Sequence, residues 1–576
     1  MRDYKSIYES WLSDPYFDEE TKAELRAINN DDEEIMERFA VDLEFGTAGL
    51  RGVIGAGTNR MNKYVIRRAT QGLCDYINSL GMANKGVVIA YDSRHMSPEF
   101  SDETARTLAA NGIKAYRFES LRPTPELSFA VRKLGCIAGI NITASHNPSE
   151  YNGYKVYWED GAQFTPPHDK AVTEAVLSIS DLSTCKTMDK EAAEAAGLYI
   201  TIGSEIDDAY IECVKSTIID KAAIEKMQDE IGIVYTPLHG TGHKPVMRIL
   251  KELGFTHVYE VPEQAEPDGA FPTVNYPNPE SKAAFELALK LAEEKGAELV
   301  LATDPDADRL GVYAKDSKTG KYMPFTGNMS GTLICEYLLS QKKKRGELKD
   351  DSYVVESIVS TDMMKAVAKE YGCELKEVLT GFKWIGREIL ESEKAGHGHF
   401  EFGMEESYGC LTGTYARDKD AVAAVAMLCE AACYYKQQGK TLWDVMQEMY
   451  EHYGYYAESI DTIELKGLEG TAKIKAIMEA FRNSKPEMLS DYKVLKIRDY
   501  ENETITVLSD GSVIPTGLPK SNVMYFELDK NSWVCARPSG TEPKLKIYAG
   551  VNGDSEEHSA ELAKKLHEDI RHRFID

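Results

Sequence analysis

Long uncharged apolar runs are missing from this 576-residue chain, so no stretch of it reads as a membrane span. The first residues, Met1-Arg2-Asp3-Tyr4, are polar and acidic where a secretory signal would be apolar, and the expectation is a cytoplasmic protein. Cys-x-x-Cys pairs are absent too. The 10 cysteines lie scattered from Cys74 to Cys535 and read as reduced, core-filling thiols; Cys429 and Cys433 would share a helix face, where zinc binding is the alternative. Positive charge is scarce: 67 Lys and Arg stand against 94 Asp and Glu, a net charge of −27. That balance excludes a general nucleic-acid binder and a protein of anionic membrane surfaces. The phosphate loop Gly-x-x-x-x-Gly-Lys-Ser/Thr and the dinucleotide fingerprint Gly-x-Gly-x-x-Gly are also missing.

What remains is an ordinary globular composition, 43% hydrophobic and 28% charged. At roughly 150 residues per domain the length suggests about four domains. Three stretches repeat one design: apolar strand, polar loop, amphipathic helix, helix-ending Gly, second strand. They begin at Lys85-Gly86-Val87, Ile231-Gly232-Ile233 and Tyr353-Val354-Val355, and their helices end at Gly112, Gly254 and Gly372. The pattern predicts three related α/β domains with mixed sheets. A smaller α+β unit follows, with strands at 524–528, 533–536 and 544–549 and a helix from about Ser555. Polar segments at 186–208 and 467–491 serve as candidate boundaries, and the expected division is 1–205, 206–322, 323–460 and 461–576.

Five loops carry the chemistry. Asn141-Ile142-Thr143-Ala144-Ser145-His146-Asn147-Pro148 follows an apolar strand at 136–140. Alone it reads first as a Ser/Asn-rich turn. It also holds what a hydroxyl nucleophile needs, with His146 adjacent to Ser145 and Lys155 ten positions on. Thr303-Asp304-Pro305-Asp306-Ala307-Asp308-Arg309 sets three carboxylates at alternate positions after a strand at 298–302, a donor set for magnesium or calcium or else a solvated acidic turn. An EF-hand would want Gly and Glu where Arg309 and Lys315 stand, so that motif is excluded.

Phe402-Gly403-Met404-Glu405-Glu406-Ser407-Tyr408-Gly409 could bond vicinal sugar hydroxyls, though alone it reads first as an acidic surface turn; Arg417-Asp418-Lys419-Asp420 follows shortly. Arg537-Pro538-Ser539-Gly540-Thr541-Glu542-Pro543-Lys544 has the makings of a phosphate cradle, or of a basic tight turn. In Glu44-Phe45-Gly46-Thr47-Ala48-Gly49-Leu50-Arg51-Gly52 the glycines admit a close ligand and Arg51 could reach phosphate. His397 and His399, flanking Gly398, read as surface residues.

Taken together and in order, these loops resemble the α-D-phosphohexomutase superfamily of phosphoglucomutases and phosphomannomutases, over nearly the whole chain and in wording closest to its larger phosphoglucomutase-2-like branch. The resemblance implies that Ser145 carries the phosphoryl group and that its phosphate completes one Mg2+ site per chain with Asp304, Asp306 and Asp308. It implies that Arg51, Lys155 and Arg309 line the reacting end, that Lys155 or else His146 takes the sugar hydroxyl proton, and that Glu405 and Ser407 bind sugar hydroxyls. Thr380, Gly381 and Lys383 would help recognise the sugar, with Arg417 and Lys419 also on the substrate; Arg537, Ser539, Gly540 and Thr541 would clamp the non-reacting phosphate.

The implied reaction interconverts α-D-glucose 1-phosphate and glucose 6-phosphate, with glucose 1,6-bisphosphate as intermediate and activator, in a monomer or homodimer whose partner is a small phosphosugar. Alternatives inside the family are phosphomannomutase, phosphopentomutase or glucose 1,6-bisphosphate synthase. Outside it stand a magnesium-dependent aspartyl phosphatase and a non-catalytic sugar-phosphate sensor. The wording Gly-Met-Glu-Glu-Ser-Tyr-Gly departs from the Gly-Glu-Pro-Ser-Gly of bacterial phosphomannomutases and favours glucose. The metal loop reads Asp304-Pro305-Asp306-Ala307-Asp308 where many members carry Gly between the acids, which puts loop rigidity in question.

Overall fold

In a computed structural model that describes residues 3–43, 49–465, 467–539 and 544–575, four sheets follow one another along the chain. The first orders its strands Leu50–Val53, Tyr151–Trp158, Ala138–Ile142, Val87–Tyr91, Ala115–Phe118 and Tyr199–Ile202. The last four run parallel, while Tyr151–Trp158 pairs antiparallel with its neighbours on both sides. Val87–Tyr91 and Ala138–Ile142 are buried at every position, as central strands covered by helices must be.

The second sheet orders Tyr322–Phe325, Leu310–Lys315, Leu299–Thr303, Ile233–Thr236 and Val258–Glu260; the third orders Glu374–Val378, Ser352–Ser357, His399–Glu405 and Gly409–Leu411. Each is parallel at its centre and antiparallel towards one edge. The expected mixed-sheet α/β class is therefore present three times. Gly112, Gly254 and Gly372 have φ of 76°, 95° and 74°, the left-handed position that closes a helix and favours glycine.

The fourth sheet is antiparallel and starts with Tyr455–Glu464, which pairs with Lys544–Gly553. Helices Gly467–Asn483 and Glu556–Phe574 supply Met478, Phe481, Leu566 and Ile570 to its core. One large apolar cluster ties the first three domains together, running through Phe129, Tyr210, Val246, Val425 and Met446. Its hub is the helix Ala421–Lys436, buried almost all round.

Several sequence expectations shift. The cut at 460/461 falls inside Tyr455–Glu464, the cut at 322/323 inside Tyr322–Phe325, and the cut at 205/206 inside the helix Ser204–Ser216. The polar segment 186–208 is not a linker, since Tyr199–Ile202 completes the first sheet; 467–491 likewise contains a packed helix. Polar composition misled there because edge strands and one-sided helices keep much polar surface. An N-terminal trio of helices, Tyr4–Ser13, Glu19–Ala27 and Asp32–Phe39, was not anticipated. Asp3, Asp18 and Asp31 cap them, and Trp11 stacks on Phe17 at 4.1 Å in a small aromatic core. The 10 cysteines are free thiols, Cys429 and Cys433 among the buried ones, and no described helix is long and apolar enough to cross a membrane.

Candidate active site

The candidate loops leave the C-terminal ends of central strands, where doubly wound sheets open towards ligands. Ile142 ends one such strand, Thr303 a second and Glu405 a third. Ser145 has φ of 53°, a left-handed conformation uncommon outside glycine, so its surroundings must hold it. They do so from both sides. Thr143 Oγ1 accepts the Ser145 N–H at 2.8 Å, and the buried Arg94 donates to the carbonyls of Ser145 at 2.5 Å, Pro148 at 2.7 Å and Tyr151 at 3.1 Å, and also to that of Asn147. Arg94 thus ties down the whole Ser145 loop. No local pattern in the sequence around Asp92-Ser93-Arg94 marks this role.

Held this way, the Ser145 hydroxyl donates to Asp304 Oδ2 at 2.8 Å and lies 3.2 Å from His146 Nδ1. Asp304 is fixed in turn, its other oxygen accepting the N–H groups of Asp308 and Arg309 at 3.1 Å each. Ala307 has φ of 50° and is fully buried, its carbonyl accepting the N–H of Ala421 at 3.2 Å. Packing therefore supplies the rigidity that the missing glycine left in question, against a conformational cost of about 1–2 kcal/mol.

Asp304, Asp306 and Asp308 are all buried, and an oxygen from each falls within 4.8 Å of the others. Asp306 Oδ1 and Asp308 Oδ1 have no hydrogen-bond partner among the described residues. Buried carboxylate oxygens left bare are costly, and three converging on one point suit a hard divalent cation. Burial, then the neighbouring Asp306 and Asp308, push Asp304 well above the usual carboxylate range, as like charges held close together do.

Cations from several domains surround this acid cluster. Lys155 Nζ donates to Asp306 Oδ2 at 2.8 Å and lies 3.9 Å from Asp308; Lys419 Nζ lies 3.1 Å from Asp308 Oδ2 and 2.9 Å from Asp418. Burial opposes the charge on Lys419, but Asp308, Asp418 and Glu405 carry it above the ordinary lysine value. Arg309 pairs with Glu280 at 2.8 Å, and Arg51 donates to Asn147 Oδ1 at 3.0 Å. Burial, then Arg309 and Arg51, hold the His146 imidazole well below its usual value, so it is neutral. Thr124 adds an unforeseen clasp: its hydroxyl donates to Asp306 Oδ2 at 2.8 Å and its N–H to the Asp306 carbonyl at 2.9 Å.

The third and fourth domains contribute the rest. Gly381, with φ of 114°, donates its N–H to Glu405 Oε1 at 2.6 Å, joining the Thr380 loop to the Glu405 loop. Ser407 sits in the turn after Glu405, and the Tyr408 carbonyl accepts the N–H of Leu310 at 2.9 Å, fastening that turn to the strand after the Asp304–Asp308 loop. Glu406 accepts from Ser357 Oγ at 2.9 Å; burial and Glu405 raise it to about 7. Arg537 stands directly opposite Lys546 across the antiparallel pair, so two cations share one sheet face. Lys546 was not foreseen, although its spacing of two from Lys544 was readable. Ser539 donates its N–H to the Lys544 carbonyl at 2.7 Å, while Gly540 and Thr541 lie outside the described residues, as do residues 44–48 of the Arg51 loop.

Two expected residues are placed elsewhere. Arg417 is fully buried, its guanidinium held by the carbonyls of Thr414 and Ala416 and by Glu393, and its N–H by Ser128 Oγ at 2.8 Å. It fixes a loop of the third domain against the first. Lys383 points into a groove of about 690 Å³ between the first and third domains, beside Trp158, Asp160 and Arg387. Its helix starts at Phe382, directly after Gly381.

The comparisons with known proteins agree with this architecture. Four profiles of the phosphoglucomutase/phosphomannomutase family match in order: α/β/α domain I over 42–183, domain II over 208–319, domain III over 326–453 and the C-terminal domain over 473–569. A phosphoglucomutase of Staphylococcus epidermidis is 36% identical over 94% of this chain and 96% of its own; one of Staphylococcus aureus is 38% identical over 90% and 91%. Among solved structures, a putative phosphomannomutase of Thermus thermophilus superposes with TM-score 0.68 at 22% identity, covering 92% of this chain and 99% of its own. The phosphoglucomutase parafusin of Paramecium superposes with TM-score 0.67 at 18% identity, covering 93% and 96%. With its four domains matched in order and close relatives aligned over nearly their full length, the chain belongs to the phosphoglucomutase/phosphomannomutase family.

Proposed function

We propose that the protein interconverts α-D-glucose 1-phosphate and glucose 6-phosphate through a phosphoserine at Ser145 and a glucose 1,6-bisphosphate intermediate. One observation carries the reading: the Ser145 oxygen lies 2.8 Å from Asp304 within a buried triplet of carboxylates that cations from more than one domain surround. Close relatives named phosphoglucomutase, and the Gly-Met-Glu-Glu-Ser-Tyr-Gly wording, support glucose as the sugar.

The triplet, with an oxygen on Ser145, would hold one Mg2+ per chain, which when bound neutralises phosphoryl charge. This chain's own residues do the rest. A phosphoserine carries about −1.5 to −2 charges near neutral pH, and the sugar phosphate adds a similar amount. Arg51, Lys155, Arg309 and Lys419 offset that repulsion in an otherwise acidic protein. In the first half-reaction the bond between phosphorus and Ser145 Oγ breaks as a new one forms to the free sugar hydroxyl, and the hydroxyl proton passes to the released Ser145 oxygen, with His146 beside it as the relay. The bisphosphate then turns, and its other phosphoryl group returns to Ser145, so Arg537, Lys546 and the Ser539 loop must accept a phosphate from either end of the sugar. Positioning and electrostatics carry most of such a transfer.

Lys155 meets the centre as a donor to Asp306, so in this geometry it serves first as a cation. His146, 3.2 Å from the Ser145 oxygen, is the group that can take or return that oxygen's proton. Glucose 1,6-bisphosphate would act as activator by rephosphorylating Ser145. Free thiols throughout the described chain fit a reducing compartment, and we assign the protein to the cytoplasm. The test is a rate comparison for glucose, mannose, glucosamine and ribose 1-phosphates, each with and without added bisphosphate. Fastest turnover of glucose 1-phosphate, stimulated by the bisphosphate, supports the reading; preference for another sugar overturns the glucose assignment.

A further inference from the structure

We propose that Tyr157 is a positioning residue for the phosphoryl transfer, fixing the ammonium of Lys419 on Asp308 by way of Asp418; the proposal rests on the mutase reading above. The strand Tyr151–Trp158 carries Lys155 and Tyr157 two residues apart, so both side chains leave the same face of the sheet. Lys155 reaches Asp306 of the second domain. One pleat further on, the Tyr157 hydroxyl reaches the third domain and donates to Asp418 Oδ2 at 2.9 Å.

Asp418 is oriented by three donors. Its Oδ2 takes the Tyr157 bond, and its Oδ1 accepts both the backbone N–H of Lys419 at 2.8 Å and the Lys419 ammonium at 2.9 Å. The ammonium then lies 3.1 Å from Asp308 Oδ2 and 5.3 Å from the centre of the Phe382 ring, which adjoins Gly381 of the sugar loop. Its stem passes so close to Gly409 that a Cβ there would lie 2.0 Å from the Lys419 Cδ. A cation with its stem confined and its head shared by two carboxylates has one remaining freedom, rotation of the Asp418 carboxylate. The Tyr157 hydroxyl removes it.

A purely structural role would not need the hydroxyl. Tyr157 is fully buried, and its ring belongs to the large apolar cluster, where phenylalanine fills the same volume. A buried hydroxyl requires a partner, and this one is aimed at the anion that holds Lys419. Burial, then Asp418, keep the phenol well above its ordinary value, so it stays a donor; Gln163 Nε2 donates to it at 3.3 Å.

The test compares Tyr157→Phe, Asp418→Asn and the double variant with the wild-type chain. Tyr157→Phe is expected to keep its melting temperature within about 3 °C, and to lose about tenfold in kcat with KM for glucose 1-phosphate within about twofold. The double variant should fall no further than Asp418→Asn alone, because the residues act in series. Acetic anhydride labelling of the metal-free protein, read by mass spectrometry, should rise about fivefold at Lys419 and stay unchanged at Lys155. Wild-type kcat in Tyr157→Phe, losses that add in full, or unchanged Lys419 labelling each overturn the proposal. If the wild-type chain fails to interconvert the glucose phosphates, the mutase reading fails, while the labelling comparison still decides whether Tyr157 tethers Lys419.

Discussion

Ser145 and Asp304, 159 positions apart in the sequence, are joined by a 2.8 Å hydrogen bond from the serine hydroxyl to the carboxylate Oδ2. The bond connects the first two domains at the point where both loops leave their central strands. Replacing Ser145 with alanine removes the proposed phosphoryl carrier and little else, since the loop is held by its backbone. Isomerase activity should fall at least about 1000-fold, while the melting temperature moves by only a few degrees, because one hydrogen bond contributes about 1 kcal/mol. Initial rates and a thermal melt of the purified variant check both.

The triplet of buried carboxylates predicts a stability response separate from activity. Adding Mg2+ to chelator-treated protein should relieve the repulsion among Asp304, Asp306 and Asp308 and raise the melting temperature. A site filled at about 100 times its dissociation constant contributes about 2.7 kcal/mol. Asp306→Asn and Asp308→Asn should lose most of that shift along with the activity. Calorimetry across a magnesium titration measures it.

Arg94 holds the nucleophile loop through the carbonyls of Ser145, Asn147, Pro148 and Tyr151. Arg94→Met should take their shared donor from those carbonyls and release the left-handed Ser145. A drop of about 100-fold in kcat and a clear loss of stability are expected. Arg94→Lys should recover only part of either, since an ammonium cannot reproduce the planar fork. Paired kinetics and melting curves decide between the two variants.

How far these parts were readable from sequence differs by kind of interaction. The Ser145 loop, the Asp triplet and the three helix-closing glycines announce themselves because each packs its chemistry into a few consecutive residues. Glu405 and Gly381 were both named, yet their mutual hydrogen bond was not, since strand order decides it. Arg94 and Thr124 act on partners far along the chain, and no local pattern marks either. Arg417 shows the opposite: it sits two residues before Lys419 in a motif of alternating charge, and its contacts to a buried backbone turn and Glu393 could not be read from that motif. Polar edge strands such as Tyr199–Ile202 escaped notice because one face of an edge strand is free to be hydrophilic.

Glu458 gives a pH prediction. It lies on the first strand of the fourth domain and accepts from Asn328 Nδ2 of the third at 2.9 Å. Burial raises it from an ordinary 4.5 to about 7. A carboxyl raised on folding is protonated more readily in the folded state than in the unfolded one. Its contribution is therefore fully present below pH 4.5 and is lost as pH rises through about 7, an effect of at most about 3 kcal/mol. Glu458→Gln should flatten that part of the stability profile and stabilise the junction at pH 8. Denaturant melts from pH 5 to pH 8 test the sign directly.

The central claim is that Ser145 is a reversible phosphoryl carrier. Incubation with glucose 1,6-bisphosphate labelled in its phosphates, followed by peptide mapping and a chase with unlabelled glucose 1-phosphate, tests it most directly. The account predicts label on Ser145 that survives acid and moves quantitatively into the sugar during the chase. Label on an aspartate of the 304–308 loop, or label on Ser145 that the sugar cannot remove, would contradict it.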